Sequence, residues 1–317
     1  MGKYILKRVL LLIPSILVVS IITFALMRLI PGSAVDVIQS RYSGMGITVE
    51  DEEIRAQLGL DKPAVQQYFV WLGDLCRGDL GDSLFEQQSV ASIIAQKLPI
   101  SLELAILTLI FTNIISIPLG VLTAAHQDSI GDYTLRVIAI ILMAVPVFWL
   151  GTLVLIYPAK WWGYAPPISY SGFFEAPLKN MQMFLVPALL GAVTQCGMQM
   201  RMVRTSVLDV MRQDYVRTAW SKGINENQVL FGHAFRNALI PVITLVGGSI
   251  GGLIGGSVIL ENMFNIPGLG AQLVESLNMY DYPVVQGCVL ILSIIVMVVN
   301  LIVDVAYKWC DPRVNLE

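Results

Sequence analysis

The sequence predicts an all-α integral membrane protein. Of its 317 residues, 56% are apolar and only 14% are charged, and the mean hydropathy is +0.70. Soluble domains carry about 25% charged residues, so this composition excludes a soluble chain. Long apolar runs separate the charged clusters, and a run of about 20 residues crosses a bilayer as a helix. The runs are apolar all round, which excludes alternating transmembrane β-strands.

Six runs are long enough to span a membrane. Both termini then lie on one side, and twelve of the 20 lysines and arginines fall in segments on that side. Positive charge is retained in the cytoplasm, so we expect cytoplasmic termini. The first run follows a basic start but lacks an A-x-A cleavage site, so it is expected to be an uncleaved span. The predicted spans are residues 9–30, 99–121, 135–157, 182–202, 238–260 and 284–306.

The external segment between the first two spans predicts short helices. Thr48 precedes a run of acidic residues that favours a helix N-terminus, and Gly59 would end that helix. Farther along, Tyr68, Trp71, Leu72 and Leu75 share one helical face. The segment has no core of its own, so it would lie on the spans. It is either a packing lid or a docking surface for an external partner.

The cytoplasmic connection from Arg201 to Arg236 is long, and long connections are usually functional. Apolar residues recur at helical spacing, which predicts an amphipathic helix ended by Gly223. A second helix is expected to start near Asn225. The pattern also suits a plain solvated connector. The residues that define the first helix are Leu208, Met211, Tyr215 and Ala219.

Catalytic and cofactor sites are not expected in this chain. There is no G-x-x-x-x-G-K-[ST] loop for a nucleotide. The G-x-S-x-G match at residues 247–251 lies in an apolar run without a nearby histidine, which excludes a hydrolase elbow. His126 and His233 are too far apart to suggest a metal site. The net charge of −3 argues against a nucleic-acid partner.

The spans hold few groups for ion coupling. Glu103 and Asp304 lie near span ends, whereas ion-coupled carriers need carboxylates at the midplane. A secondary transporter therefore remains only an alternative. The glycines of residues 247–256 form small-xxx-small pairs, which suit either tight packing within the subunit or a flexible or pore-facing surface at a subunit interface. Pro118, Pro146 and Pro187 each interrupt a span.

Several motifs resemble a known family. Residues 214–223 (DYVRTAWSKG) and 233–241 (HAFRNALIP) are similar to the EAA loop of binding-protein-dependent ABC importer permeases, in the dipeptide/oligopeptide/nickel subfamily. The resemblance covers nearly the whole chain. Further matching segments follow in order at residues 29–32, 59–63, 78–84, 264–270, 281–287 and 311–313.

The resemblance implies a type I ABC importer permease subunit in the cytoplasmic (inner) membrane. Its partners would be a second homologous permease, two cytoplasmic ATPases and an extracytoplasmic substrate-binding protein. ATP would be hydrolysed by the ATPases, and this chain would bind no cofactor. Residues 1–94 would hold the first span and the external segment, residues 95–307 the transmembrane core, and residues 308–317 a cytoplasmic tail.

The resemblance also assigns ATPase coupling to residues of the loop 203–237. Arg217 stands where the EAA consensus carries glutamate. The substrate would be a di- or oligopeptide, with nickel, glutathione or another small solute as alternatives. The coupling residues are Asp214, Tyr215, Arg217, Thr218, Ala219, Lys222, Gly223, Asn225, His233, Arg236, Asn237 and Pro241.

Overall fold

The computed structural model describes residues 2–30, 32–44, 50–57, 60–167, 169–225, 228–229, 232 and 235–310. Within these ranges the chain is helical, apart from turns and one isolated bridge between Asp82 and Ser89. The helices are α1 (Gly2–Leu29), α2 (Ala34–Gly44), α3 (Asp51–Gln57), α4 (Ala64–Cys76), α5 (Val90–Ala125), α6 (Ile130–Ala144), α7 (Val147–Trp162), α8 (Pro177–Met211), α9 (Asp214–Ser221), α10 (Phe235–Met263), α11 (Leu269–Asn278) and α12 (Tyr282–Cys310).

Four described helices are long and apolar enough to cross a membrane: Arg8–Leu29 of α1, α5, α8 and Tyr282–Val305 of α12. Each overlaps one predicted span almost completely. The pair α6 and α7 meets the test as one bent span. The predicted span 238–260 lies in α10, part of whose side chains fall outside the described residues. The count of six therefore stays a prediction.

Pro146 divides the third predicted span. Residues 135–157 were expected to form one helix, but α6 ends at Ala144, α7 begins at Val147, and their axes differ by 94°. Proline has no N–H, and it forces the preceding residue out of the helical region. Val145 is accordingly extended, with φ −85° and ψ 124°. Pro187 lies inside α8 without ending it.

The chain divides into two compact units. The first consists of Met1–Ile100 and Pro267–Met297. Its core joins α5 to α11 and α12 through Val90, Ile93, Ile94, Leu269, Val284 and Cys288. Helix α4 packs on α1: Tyr68 meets Phe24 edge to face at 5.2 Å between ring centroids, and the Tyr68 hydroxyl lies 2.9 Å from Ser20 Oγ. The expected face of α4 is therefore the packed one.

The loop before α5 is anchored by Asp281. The buried Asp281 carboxylate accepts hydrogen bonds from Ser83 Oγ and from the backbone N–H of Leu84. Burial raises the pKa of Asp281 above its ordinary value, and these two hydrogen bonds partly oppose the rise. The predicted helix at residues 48–59 corresponds to α3, while Thr48 and Gly59 lie outside the described residues.

The second unit consists of Ser101–Ile266 and Val298–Glu317, with α8 at its centre. Small residues let helices approach closely. A Cβ on Gly197 would lie 2.7 Å from the carbonyl oxygen of Ala139, and one on Gly247 would lie 2.2 Å from Val303 Cγ1. Gly248 faces open space. Among the cysteines described, Cys76 is exposed, whereas Cys196 and Cys288 are buried.

Candidate functional site

The loop that follows α8 contains a separate short helix. Leu208 through Ala219 were expected to form one amphipathic helix, but α8 ends at Met211 and α9 begins at Asp214. Gln213 is extended, with φ −74° and ψ 147°. The break is stable because the last carbonyls of α8 are still used: Arg212 N–H donates to Leu208 O at 3.2 Å. Asp214 then places a negative charge in the first turn of α9.

Helix α9 has one buried and one exposed face. Val216 and Ala219 are buried with Val229 in a small apolar cluster, against which Val210 and Ile224 also pack. Tyr215 and Trp220 are 43% and 44% exposed. The side chains of Asp214 and Arg217 are 99% and 74% exposed, and their charged ends lie 3.9 Å apart. The exposed face of α9 therefore carries two aromatic rings and one pair of opposite charges.

Gly223 ends α9 as predicted. Its φ is +74°, a conformation that side chains disfavour. Gly223 N–H donates to Trp220 O at 2.9 Å, and Ile224 N–H donates to Ala219 O at 3.4 Å. This pair of bonds is a Schellman motif, which satisfies the terminal carbonyls. Ile224 also packs on the cluster under α9, so the turn fixes the direction of the helix.

A hydrogen bond ties α9 to the start of α10. Asn237 Nδ2 donates to the Tyr215 hydroxyl at 2.8 Å. Two residues predicted at opposite ends of the coupling loop are thus in direct contact. Within α9, Thr218 Oγ1 donates to the carbonyl oxygen of Asp214, which leaves the hydroxyl satisfied locally.

The structure describes some of the remaining predicted coupling residues and not others. Lys222 caps the C-terminus of α9, and the carbonyl oxygen of Asn225 accepts from Val229 N–H at 3.0 Å. Arg236 and Pro241 lie in α10, with side chains outside the described residues. His233 and most of the second predicted helix also lie outside them.

Asp132 forms a buried ion-pair cluster near the loop, which was not predicted from the sequence. Its carboxylate is fully buried at the start of α6 and accepts from Arg204 Nε at 3.1 Å and Nη2 at 2.8 Å. Arg136 Nε lies 3.2 Å away, and Asp128 N–H donates to the same carboxylate. This cluster of Asp132, Arg136 and Arg204 joins α6 to α8. The Ser129 side chain accepts a hydrogen bond from Asp132 N–H, and a serine at this position is a sequence signal for the start of α6. The sequence around α6 does not indicate that Arg204 pairs with Asp132.

Both ends of the predicted coupling loop contact one apolar core. Val203 and Val207 of α8 are fully buried there. Gly120 of α5 lets Val203 approach, since a Cβ on that glycine would lie 2.6 Å from Val203 Cβ. A displacement of α9 would therefore act on a packed core rather than on a loose loop. The remaining buried members are Val121, Ala124, Ala238 and Val242.

Two family models match the chain. The model described as "Binding-protein-dependent transport system inner membrane component" matches residues 116–316. A model for the N-terminal part of such membrane components matches residues 1–105. Together they cover almost the whole sequence, including α9 and the Asp132 cluster.

Curated relatives match over their full lengths. A protein of Brucella suis biovar 1 (strain 1330), provisionally named a peptide transport system permease protein, is 42% identical over 318 residues, covering 100% of both chains. The dipeptide transport system permease protein DppB of Alkalihalophilus pseudofirmus is 33% identical, covering 99% of this chain and 100% of its own. The di/tripeptide permease DppB of Pseudomonas aeruginosa is 34% identical, covering 99% of each.

A solved structure shows the same fold. The crystal structure of an amino acid ABC transporter with histidines superposes with a TM-score of 0.50 at 14% sequence identity, covering 71% of this chain and 95% of the other. At that identity the likeness concerns the fold alone. With the family models and the full-length relatives, it agrees with the helical membrane architecture described above. This chain belongs to the family of binding-protein-dependent transport system inner membrane components.

Proposed function

We propose that this chain is the membrane-spanning permease subunit of an ATP-driven importer for di- or oligopeptides. It forms the translocation path with a second homologous permease, and two separate cytoplasmic ABC ATPases hydrolyse the ATP. A substrate-binding protein delivers the peptide from outside. The family supports a binding-protein-dependent system, and the names of the relatives support a peptide substrate.

One observation supports the coupling role: α9 is held firmly but displayed outward. Val216 and Ala219 fasten one face, and the Schellman turn at Gly223 and the Tyr215–Asn237 bond fix the orientation. The opposite face exposes aromatic and charged side chains, which suits a rigid insert for a groove on a partner. Because α9 follows α8 directly, movement of a bound ATPase would pass into the α8 core.

The test replaces Gly223 by valine in a tagged chain and recovers the complex in mild detergent. A β-branched residue is strained at φ +74°, so α9 should be misdirected and the ATPase lost from the pull-down. Gly163→Val is the matched control. Gly163 has φ +65° and, like Gly223, has open space around its Cβ position, but it ends α7, away from the loop.

Recovery of an ATPase with wild type and with Gly163→Val, but not with Gly223→Val, is the expected result. Equal recovery with all three chains would contradict the coupling role of α9. Recovery of the wild-type chain alone, still active in transport after reconstitution, would instead favour a secondary transporter.

The substrate is tested with the reconstituted complex in proteoliposomes. We expect ATP-dependent uptake of a radiolabelled dipeptide when the cognate binding protein is present, and competition by unlabelled di- and tripeptides. Uptake of nickel chelates or glutathione in place of the dipeptide would contradict the peptide assignment and leave the coupling result intact.

A further inference from the structure

A cavity of about 330 Å³ lies within the first unit, beside the last turn of α1. Its walls come from α1, from α4 with the residues just before it, and from the first turns of α12. The volume falls within the range of small-ligand pockets, about 300–1,000 Å³. The lining combines cations and aromatic rings, including Phe24, Arg28, Lys62, Trp71 and Tyr282.

Arg28 is a half-buried cation whose partners are neutral. Its guanidinium lies 3.4 Å from the centroid of the Phe24 ring, donates to the Phe24 carbonyl oxygen at 3.2 Å, and donates to the side chain of Gln67. Among the described residues, no carboxylate forms a salt bridge with Arg28. Asp74, the acidic residue in the described lining, lies 3.6 Å from Arg77 instead.

The positive charge of Arg28 is therefore not neutralised by a carboxylate among the described residues that line the cavity. A guanidinium in partly apolar surroundings binds an anion strongly, because charge-assisted hydrogen bonds gain from the low local dielectric. Lys62 lines the same cavity and adds a second cation whose own side chain is exposed to solvent. The site suits an anionic oxyacid group such as a phosphate.

The surfaces next to the cavity are apolar and exposed. On α4, Val65 is 68% exposed and Phe69 is 64% exposed, although the opposite face of this helix packs on α1. On α1, Leu29 beside Arg28 is 76% exposed. Such faces are stable in contact with acyl chains, and Trp and Tyr side chains prefer the membrane interface. These surfaces suit a position where lipid headgroups and acyl chains meet.

We propose that this cavity binds the headgroup of an anionic phospholipid. Arg28 and Lys62 contact the phosphate, the rings of Trp71 and Tyr282 border the glycerol region, and the acyl chains lie along the exposed apolar faces of α1 and α4. A carboxylate from a protein partner would satisfy the cations equally, but it would leave these neighbouring apolar faces unexplained.

Native mass spectrometry of the intact detergent-purified complex, titrated with phosphatidylglycerol or phosphatidylcholine, tests the proposal. We expect phosphatidylglycerol to bind wild type about tenfold more tightly than phosphatidylcholine, and Lys62→Gln to weaken it about fivefold. Arg28→Gln should weaken it further. Lys160→Gln is the matched control, because Lys160 is an exposed cation in the last turn of α7, outside the cavity.

Equal affinities of wild type for the two lipids, or an equal loss in Lys160→Gln, would overturn the proposal. Tight binding of inorganic phosphate by lipid-free protein, with no added gain from acyl chains, would assign the cavity to free phosphate instead. Loss of the binding protein from Lys62→Gln with unchanged phosphatidylglycerol affinity would assign it to that partner. If Arg28→Gln fails to fold, Lys62→Gln still decides, since its side chain is exposed.

Discussion

The carboxylate of Asp132 accepts two hydrogen bonds from Arg204, which lies 72 residues later in the chain, and has Arg136 beside it on its own helix. A buried carboxylate with two cationic partners is stable only while the partners remain. Asp132 should therefore contribute more to the stability of the folded protein than the exposed charges of α9.

Asp132→Asn should destabilise the protein by about 3 kcal/mol, because it leaves the largely buried Arg204 without a counter-ion. Thermal unfolding in detergent, followed by circular dichroism, measures the loss. Asp214→Asn is the control: that carboxylate is 99% exposed, so its loss should lower Tm far less than the loss of Asp132. If Asp132→Asn leaves Tm unchanged, or if the double variant with Arg204→Met is no more stable than the single one, the buried pair is not a structural element.

Asp281 should make the stability of the protein depend on pH with the opposite sign to an ordinary salt-bridged carboxylate. Burial raises its pKa in the folded state, so its contribution to stability is present below the unfolded pKa and is lost as pH rises through the folded value. The Tm difference between wild type and Asp281→Asn should be most favourable to wild type in acid and should shrink toward neutral pH. Unfolding scans from about pH 4 to about pH 8 measure it; a constant difference would contradict the assignment.

At the scale of single elements, the structure differs from the sequence prediction at two helix breaks, one between α6 and α7 and one between α8 and α9. Pro146 was recognised as an interruption, but the 94° bend could not be predicted, because many prolines, such as Pro187, remain inside a helix. The break at Gln213 has no proline or glycine to indicate it. Gly223 was predicted correctly because a positive φ strongly favours glycine.

The adjacent glycines of α10 give a matched test of helix packing. Gly247→Ala should lower Tm, because the new Cβ would lie 2.2 Å from Val303 Cγ1 and force α10 and α12 apart. Gly248→Ala adds the same methyl group into open space and should be neutral or slightly stabilising, since alanine favours helix. Thermal unfolding of both variants compares them. Equal effects would show that Gly247 is not a packing contact.

At the scale of the whole molecule, the helical membrane class and the family follow from composition and ordered motifs spread over the chain. The Asp132 cluster and the cavity at Arg28 do not, since each depends on side chains brought together from distant segments. Apolar periodicity predicts which face of α4 packs on a neighbouring helix, but it cannot identify Phe24 as the partner of Tyr68.

Membrane orientation is testable with a native cysteine. Cys76 is exposed at the end of α4, whereas Cys196 and Cys288 are buried. In a Cys310→Ser background, a membrane-impermeant maleimide should label Cys76 in spheroplasts, because the external segment faces outward when the termini are cytoplasmic. Cys76→Ser should abolish the label. Labelling confined to inverted vesicles would place the termini on the opposite side.

The separation of Asp132 from Arg204 also sets an order of events during synthesis. Ribosomes add about 5 to 20 residues per second, so the 72 residues between them take about 4 to 14 s to emerge. During that interval Arg136 is the one cationic partner of Asp132 that has already been made. Helix α9 is synthesised directly after Arg204. Its exposed face is therefore completed only after α8 can form its ion pair with Asp132 of α6.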